Sequence, residues 1–439
     1  MDPPYDEAYE ADGSPRPHYE ELLEALQEPG PVARELTRLL RARGISHPGD
    51  PVPRVLTAAE WSELETGIAQ RLRALEALVA DVYGDGRVFD AGVLSRADVE
   101  SSTHYEPAMR GARPARWITY AGLDVVRCPD GRFRVIEDQV RMPSGVAYAA
   151  AMRSGLRELL ATAPPQADTS LGFRDLAQAL RAAAPPGVED PGVVILTEGT
   201  SAPTFWEHER LAAELRAPLV QLSDLEHRNG RLMAWLDGRA YVVDVVYLRT
   251  GDDRFTGPDG SPTPVGAALL GPCSDGTLAC VNAPGAGVAD DKLVHASVDE
   301  LIRFYLGQEP LLPSVPSHRL GPDVPLDDLV VKPRGEMGGE GVVIWRDADG
   351  NTRARVRAAL ERHPAGFIGQ ELVSLSVHPT ACDGRLEPRH VDLRPYALVT
   401  DRGARVLEAA ISRVALEPGS MIVNAAQGGG MKDTWALAD

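Results

Sequence analysis

Residues 116–140 read RWITYAGLDVVRCPDGRFRVIEDQV. Two β-rich runs, 116–127 and 132–140, flank Cys128-Pro129-Asp130-Gly131, and an Asp-Gly turn between such runs signals a hairpin. The hairpin sets Asp124 on one strand against Glu137, Asp138 and Gln139 on the next. Facing carboxylates repel unless something positive lies between them. Mg²⁺ takes a few oxygen ligands together with phosphate oxygens, and Gln139 adds a carbonyl oxygen to Asp124 and Glu137. On residue chemistry alone, a solvated acidic hairpin is the simpler reading.

On the N-terminal side, residues 17–43 and 57–83 read as helices. Trp61, Leu64, Ile68, Leu72, Leu75, Leu78 and Val79 recur at spacings of three and four, which makes one apolar stripe. Thr57 and Glu60 form a capping-box pair. ISHPGDPVPRVL (45–56) reads as a connector, so residues 1–100 are expected to be a helical region. Residues 101–165 hold the acidic hairpin and a helix at 146–162, and TAPPQADTS (162–170) reads as a linker.

Residues 166–275 alternate: helix 172–183, strand 193–196, helix 205–215, strand 219–222 and strand 241–249. This is a parallel α/β pattern. From 276 to 439 the pattern changes again. A helix at 294–307 precedes strands at 329–334, 341–345, 367–373 and 390–399. These read as an antiparallel sheet with one covered face and one that can hold a ligand.

Three segments of this last region combine glycine with lysine. VVKPRGEMGGEGVV (330–343) places Lys332 before a turn containing Gly338, Gly339 and Gly341. Such a turn lets backbone N–H groups approach an anion, although a hairpin needs the same glycines. NAPGAGVADDK (282–292) ends in Lys292, either a second phosphate-contacting lysine or part of a helix capped by Asp290 and Asp291. After Ile411-Ser412-Arg413-Val414, the run NAAQGGGMKD (424–433) sets Lys432 beside three glycines, which suits an oxyanion or a loose tail. His378, Cys382 and His390 have loosely metal-like spacing, but no CxxC or HxxxH supports them, and HExxH and GxSxG are absent.

Composition excludes several classes. Asp and Glu number 64 against 45 Lys and Arg, a net charge of −19. That argues against general nucleic-acid binding and against docking on anionic lipid. Cys128, Cys273, Cys280 and Cys382 are too few and too scattered for a disulfide framework. The acidic N-terminus is unlike a signal peptide, and no run of 18 apolar residues occurs. A cytoplasmic protein that binds neither nucleic acid nor membrane is expected, with a homodimer as an open assembly.

The segments 5–19, 122–145, 281–292, 330–342, 388–398 and 412–435 together resemble the circularly permuted ATP-grasp type 2 family, in the same order along the chain. That family is similar to glutathionylspermidine synthase and, more distantly, to D-alanine–D-alanine ligase. The resemblance implies an α/β fold with two α+β lobes that hold ATP between them. The metal-binding strands come early in the sequence and the nucleotide lobe last. It further implies phosphorylation of a carboxylate and displacement of phosphate by an amine.

Residue by residue, the resemblance makes Lys292 and Lys332 phosphate contacts, and Gly338, Gly339 and Gly341 the covering loop. Gln370 and Glu371 fall where the linker meets adenine and ribose. Asp124, Glu137 and Gln139 become Mg²⁺ ligands, and Arg413 stabilises the reacting centre. Arg249, Arg141, Ser144, Arg394, Asn424 and Lys432 are the implied substrate contacts. ATP and Mg²⁺ are the implied cofactors; a small-molecule or peptide carboxylate and an amine are the implied partners.

The chain departs from the family where Gln139 replaces Asn, where Leu248 stands beside Arg249 in place of a second arginine, and where 44–53 is shortened. The expectation is an ATP-dependent carboxylate–amine ligase. A phosphotransferase or ATPase on the same scaffold, and a non-catalytic partner protein, are the alternatives.

Overall fold

The computed structural model describes residues 2–160, 169–251, 254–321, 323–336, 339–424 and 428–438. The linker expected at 162–170 falls mostly outside these residues; Thr169 already opens a helix, Thr169–Ala182.

The large sheet runs in the order Arg54–Leu56, Gly430–Ala436, Gly403–Val414, Arg385–Thr400, Tyr120–Arg127, Phe133–Gln139. Val377–Cys382 pairs with the first part of the long strand Arg385–Thr400. The hairpin forms as expected, closed by a hydrogen bond of 2.9 Å from Gly131 N to the Cys128 carbonyl, but its first strand begins at Tyr120 rather than 116. Arg54–Leu56 lies within the expected connector. It is a strand because it pairs in parallel with Thr434–Ala436.

Side chains alternate across this sheet. Leu123, Val125, Leu393 and Ala397 face Leu64, Ile68, Leu72 and Leu75 of helix Ala58–Tyr83. Each such leucine, fully buried, contributes roughly 1.5–3 kcal/mol. The Thr57–Glu60 capping box fixes where that helix starts, worth about 1 kcal/mol. On the opposite face Tyr120, Tyr396, Leu398 and Ile411 pack on Val146, Met152 and Leu156 of helix Val146–Leu159.

That second helix begins only at Val146, so it covers part of its face. Asp124, Asp392, Arg394 and Arg413 lie further along the same strands and line an open cleft. One face of the large sheet is fully covered, and the other is shared between helix and cleft. The four strands expected to make one antiparallel sheet from 329 to 399 are therefore split: Arg385–Thr400 belongs to this large sheet, and the other three form a smaller one with a covered face and a face on the cleft.

The helix expected at 17–43 is broken into Pro17–Tyr19, Glu20–Ala25 and Pro29–Ala42. Pro29 has no N–H to continue a helix, so a new one starts there. The expected parallel sheet forms, in the order Ala279–Val281, Val245–Arg249, Val193–Thr197, Leu219–Val220, but its edge strand Ala279–Val281 lies beyond residue 275, where the pattern was expected to end. The run 241–249, read as one strand, is two. Arg239–Val243 joins a separate three-stranded sheet with Leu225–Arg228 and Arg231–Leu236. Asp244 is the switch: its N–H bonds the Gly192 carbonyl at 2.8 Å and its carboxylate accepts from Gly192 N at 2.9 Å.

A smaller antiparallel sheet runs Ser317–Arg319, Phe367–Glu371, Leu329–Pro333, Val343–Ile344. Helix Gly350–Arg362 covers it through Val356 and Leu360, packed on Leu329, Val331 and Trp345. Its other side closes over the cleft. The helix expected at 294–307 is two, Lys292–His295 and Val298–Leu306.

Candidate functional site

The cleft between the small sheet and the open part of the large sheet measures about 630 Å³. Four charged groups of the large sheet form its floor. Arg394 donates to both oxygens of Asp124, Nε at 2.7 Å and Nη2 at 3.0 Å. Arg413 lies 2.8 Å from Asp124 and donates from Nε to both oxygens of Asp392 at 3.0 Å. Asp124 and Asp392 thus hold two guanidinium groups side by side at the surface of the cleft. Burial would raise the Asp124 carboxyl, but Arg394 and Arg413 outweigh it and keep the group ionised well below the usual range.

Glu137 comes from the neighbouring hairpin strand, and Lys292 Nζ lies 3.0 Å from it. Burial opposes its ionisation; Lys292, helped by Lys332, prevails and lowers its pKa. Gln139 Nε2 is 3.4 Å from Glu137 Oε2. Lys292 also donates to the Glu336 carbonyl, which links the hairpin to the small sheet's turn. Asp291 caps the helix at Lys292, accepting from Leu293 N at 2.9 Å. The same carboxylate receives Arg334 Nε at 2.7 and 2.8 Å.

Lys332 descends from the small sheet. Its Nζ donates to Gln370 Oε1 at 2.5 Å and to the Ile136 carbonyl at 3.4 Å. Burial lowers its pKa to about 8, against the pull of Glu137. Gly339 and Gly341 follow at positive φ, +76° and +68°, a backbone that suits glycine; Gly338 lies outside the described residues. Val330, Ile344, Leu372, Val373, Leu375, Met421 and Ile422 make the apolar wall of the cleft. Glu371 lines the rim and is exposed, with His318 at 3.5 Å.

In this one cleft an apolar wall stands beside two lysines and several carboxylates. The circularly permuted ATP-grasp type 2 profile matches residues 53–415. The chain belongs to this family.

Relatives of this ATP-grasp chain include a Frankia alni protein with a provisional glutamate–cysteine ligase name. It is 41% identical over 401 residues, 88% of this chain and 46% of that protein. A Frankia casuarinae protein with the same kind of name is 40% identical over 98% of this chain and 53% of its own length. The chain spans about half the length of these relatives. An uncharacterised Synechocystis protein is 36% identical over 89% of this chain and 84% of its own. Among solved structures, a glutathione synthetase-like effector from Globodera pallida superposes with a TM-score of 0.59. It shares 11% identity and covers 96% of this chain and 99% of its own. That likeness is one of ATP-grasp fold.

Within the ATP-grasp cleft the structure brings together Asp124, Glu137, Gln139, Lys292, Lys332, Gly339, Gln370, Glu371, Arg394, Arg413 and Asn424. Ser144 borders it through its carbonyl, which accepts from Arg394 at 3.3 Å and from the Tyr396 hydroxyl at 2.9 Å.

Three expected substrate contacts lie elsewhere. Arg249 is buried 2.9 Å from Glu207, whose other oxygen caps helix Val146–Leu159 at Gly145 N and Ala147 N. Arg141 donates to His104, in a small cavity lined by Met142, Leu248 and Phe255. Lys432 is fully buried against Asp50 because Gly430–Ala436 is a core strand and not a loose tail.

Two residues that place the charged groups were missed. Asp392 orients Arg413, and Arg334 fastens the small sheet's turn to Asp291. The alternation of HVDLRPY already put Asp392 and Arg394 on one face.

Among the described residues no group of three or more His, Cys, Asp or Glu forms a metal cluster. Asp124, Glu137 and Gln139 make a donor set whose oxygen chemistry suits Mg²⁺, with Asp124 already accepting from Arg394 and Glu137 paired with Lys292. Among the described residues no helix is long and apolar enough to cross a membrane.

Proposed function

We propose that the protein is an ATP-dependent carboxylate–amine ligase. One observation carries this reading: two lysines, two arginines and the Asp124, Glu137 and Gln139 oxygens converge on a single cleft with an apolar wall. Phosphoryl transfer asks a protein for positioning and charge neutralisation more than for covalent chemistry.

In this reading Val330, Ile344, Leu372 and Met421 sandwich the adenine. Lys332 and Lys292 neutralise the phosphates, and Gly339 and Gly341 close over them. Asp124, Glu137 and Gln139 would hold Mg²⁺, which screens the transferring phosphoryl group. A substrate carboxylate oxygen attacks the terminal phosphorus, the bridging P–O bond breaks, and ADP leaves. Arg394 and Arg413 hold the acyl phosphate and the oxyanion formed from it. The amine nitrogen attacks the acyl carbon, the C–O bond breaks, and phosphate leaves with the amide formed; the amine proton passes to solvent.

Calorimetric titration with a non-hydrolysable ATP analogue, with and without Mg²⁺, tests the nucleotide site. Binding strengthened by Mg²⁺ is expected, followed by ADP release and amide product when acids and amines are screened. ADP release without amide would make the protein a phosphotransferase or ATPase, and no binding at all would favour a non-catalytic partner.

A further inference from the structure

Two of the four cysteines have their sulfurs in contact. Cys273 Sγ donates to Cys280 Sγ at 3.3 Å. Cys273 lies near the end of helix Pro264–Ser274, and Cys280 is central in the edge strand Ala279–Val281 of the parallel sheet. Both are buried free thiols at the wall of a small cavity that Arg113, Arg116 and Gly276 also line. A disulfide needs its sulfurs about 2.05 Å apart, so closure asks the two sulfurs to approach by only about 1.3 Å.

Just beyond Cys280, Asn282 clamps the end of this strand to the acidic hairpin. Its Oδ1 accepts from Thr119 N at 2.7 Å and Tyr120 N at 2.9 Å, and its Nδ2 donates to the Tyr120 carbonyl at 2.7 Å. The loop then runs to Asp290, which accepts from Val140 N at 2.8 Å, and on to Lys292 in the cleft.

We propose that Cys273 and Cys280 form a reversible intramolecular disulfide when the protein meets a hydroperoxide, and that this bond fastens the root of the loop that carries Lys292. One sulfur, as thiolate, attacks a peroxide oxygen; the O–O bond breaks and water leaves after protonation, giving a sulfenic acid. The second sulfur attacks that sulfur, the S–O bond breaks, and the thiol proton leaves with hydroxide as a second water. Two thiols are oxidised and one peroxide is reduced. The hydrogen bond from Cys273, and then burial, push the Cys280 thiol well above its ordinary range, which disfavours the thiolate there and makes the oxidation slow.

The test treats the full chain with hydrogen peroxide, then denatures it, alkylates it and maps its peptides. The expected result is loss of alkylation at Cys273 and Cys280 together and a linked peptide about 2 Da lighter than the two thiols. Dithiothreitol should reverse it, and C273S and C280S should each abolish it. Cys382 is the internal control, being the one cysteine that is not fully buried. Prior oxidation of Cys382 with Cys273 and Cys280 still alkylatable would overturn the proposal, as would cross-linked dimers or sulfinic acid at either position. Amide exchange over 279–292 should slow by about tenfold in the oxidised wild type; unchanged exchange would overturn the fastening role.

Discussion

The Lys292 ammonium stands 3.0 Å from the Glu137 carboxylate, so a loop of the parallel sheet and the acidic hairpin meet through two groups of the cleft. Neighbouring Asp138 repeats the link. It accepts from His295 at 2.7 Å and from Arg71 at 2.5 and 2.9 Å. One turn of helix is therefore held at both ends against one strand, and the position of Lys292 is set before any ligand arrives.

Lys332→Ala should weaken binding of the ATP analogue by about 10–100-fold, the loss of one charge-assisted contact. Lys332→Arg should retain most of it. The lysine's pKa, lowered to about 8 by burial, sets the pH dependence. Its ammonium is present below that value and lost above it, so affinity should fall as pH rises through 8. The unfolded chain holds this proton up to about 10.5, so this group's contribution to stability rises with pH between 8 and 10.5. Titrations and melts from pH 6.5 to 9.5 check both signs, and a flat affinity profile would remove Lys332 from the phosphate site.

Asp392→Asn should leave nucleotide affinity within about twofold and lower turnover by about tenfold, since only the orientation of Arg413 changes. Breaking a buried ion pair typically costs about 3–5 kcal/mol. The cost here should be smaller because Asp124 still faces Arg413 at 2.8 Å. Steady-state kinetics with thermal melts separate the two effects; equal losses in affinity and turnover would mean that Asp392 acts on the nucleotide.

Gln139→Asn shortens the side chain by one methylene and keeps the amide oxygen. Mg²⁺-dependent nucleotide binding should be preserved or tightened, whereas Gln139→Ala should weaken the Mg²⁺ dependence. Calorimetry across a Mg²⁺ series reads this directly, and complete loss in the asparagine variant would assign Gln139 another task.

Arg249→Met leaves Glu207 buried without its partner, at a cost of about 3–5 kcal/mol. The urea midpoint should fall, and the double variant R249M/E207Q should recover part of the loss. Nucleotide affinity of the folded protein should not change. A variant with normal stability and lost acid binding would return Arg249 to the substrate pocket.

Local chemistry made the hairpin, the Thr57 cap and the parallel α/β segment legible, because turn residues, capping pairs and periodicity act over a few neighbours. The lysines and acids of the cleft were legible through residue type combined with family resemblance. Other features depend on distant partners. Nothing near Arg54 announces its pairing with Thr434, and the apolar run 241–249 hides the change of sheet at Asp244. Lys432 beside three glycines has the chemistry of an anion site, yet its strand carries it inside, where Asp50 neutralises it. Arg249 likewise depends on a distant partner, the chain's own Glu207, 2.9 Å away.

The order of the large sheet also governs how the protein is made. The hairpin Tyr120–Gln139 leaves the ribosome long before its neighbour Arg385–Thr400, by on the order of 10–50 s at 5–20 residues per second. Through that interval the strand Tyr120–Arg127 has an unpaired apolar edge, the kind that recruits other chains. Helix Ala58–Tyr83 is already complete and can shield one face, but not the edge. Nascent chains stalled between 140 and 385 should therefore be the aggregating species, and slow translation of that stretch should demand chaperone cover.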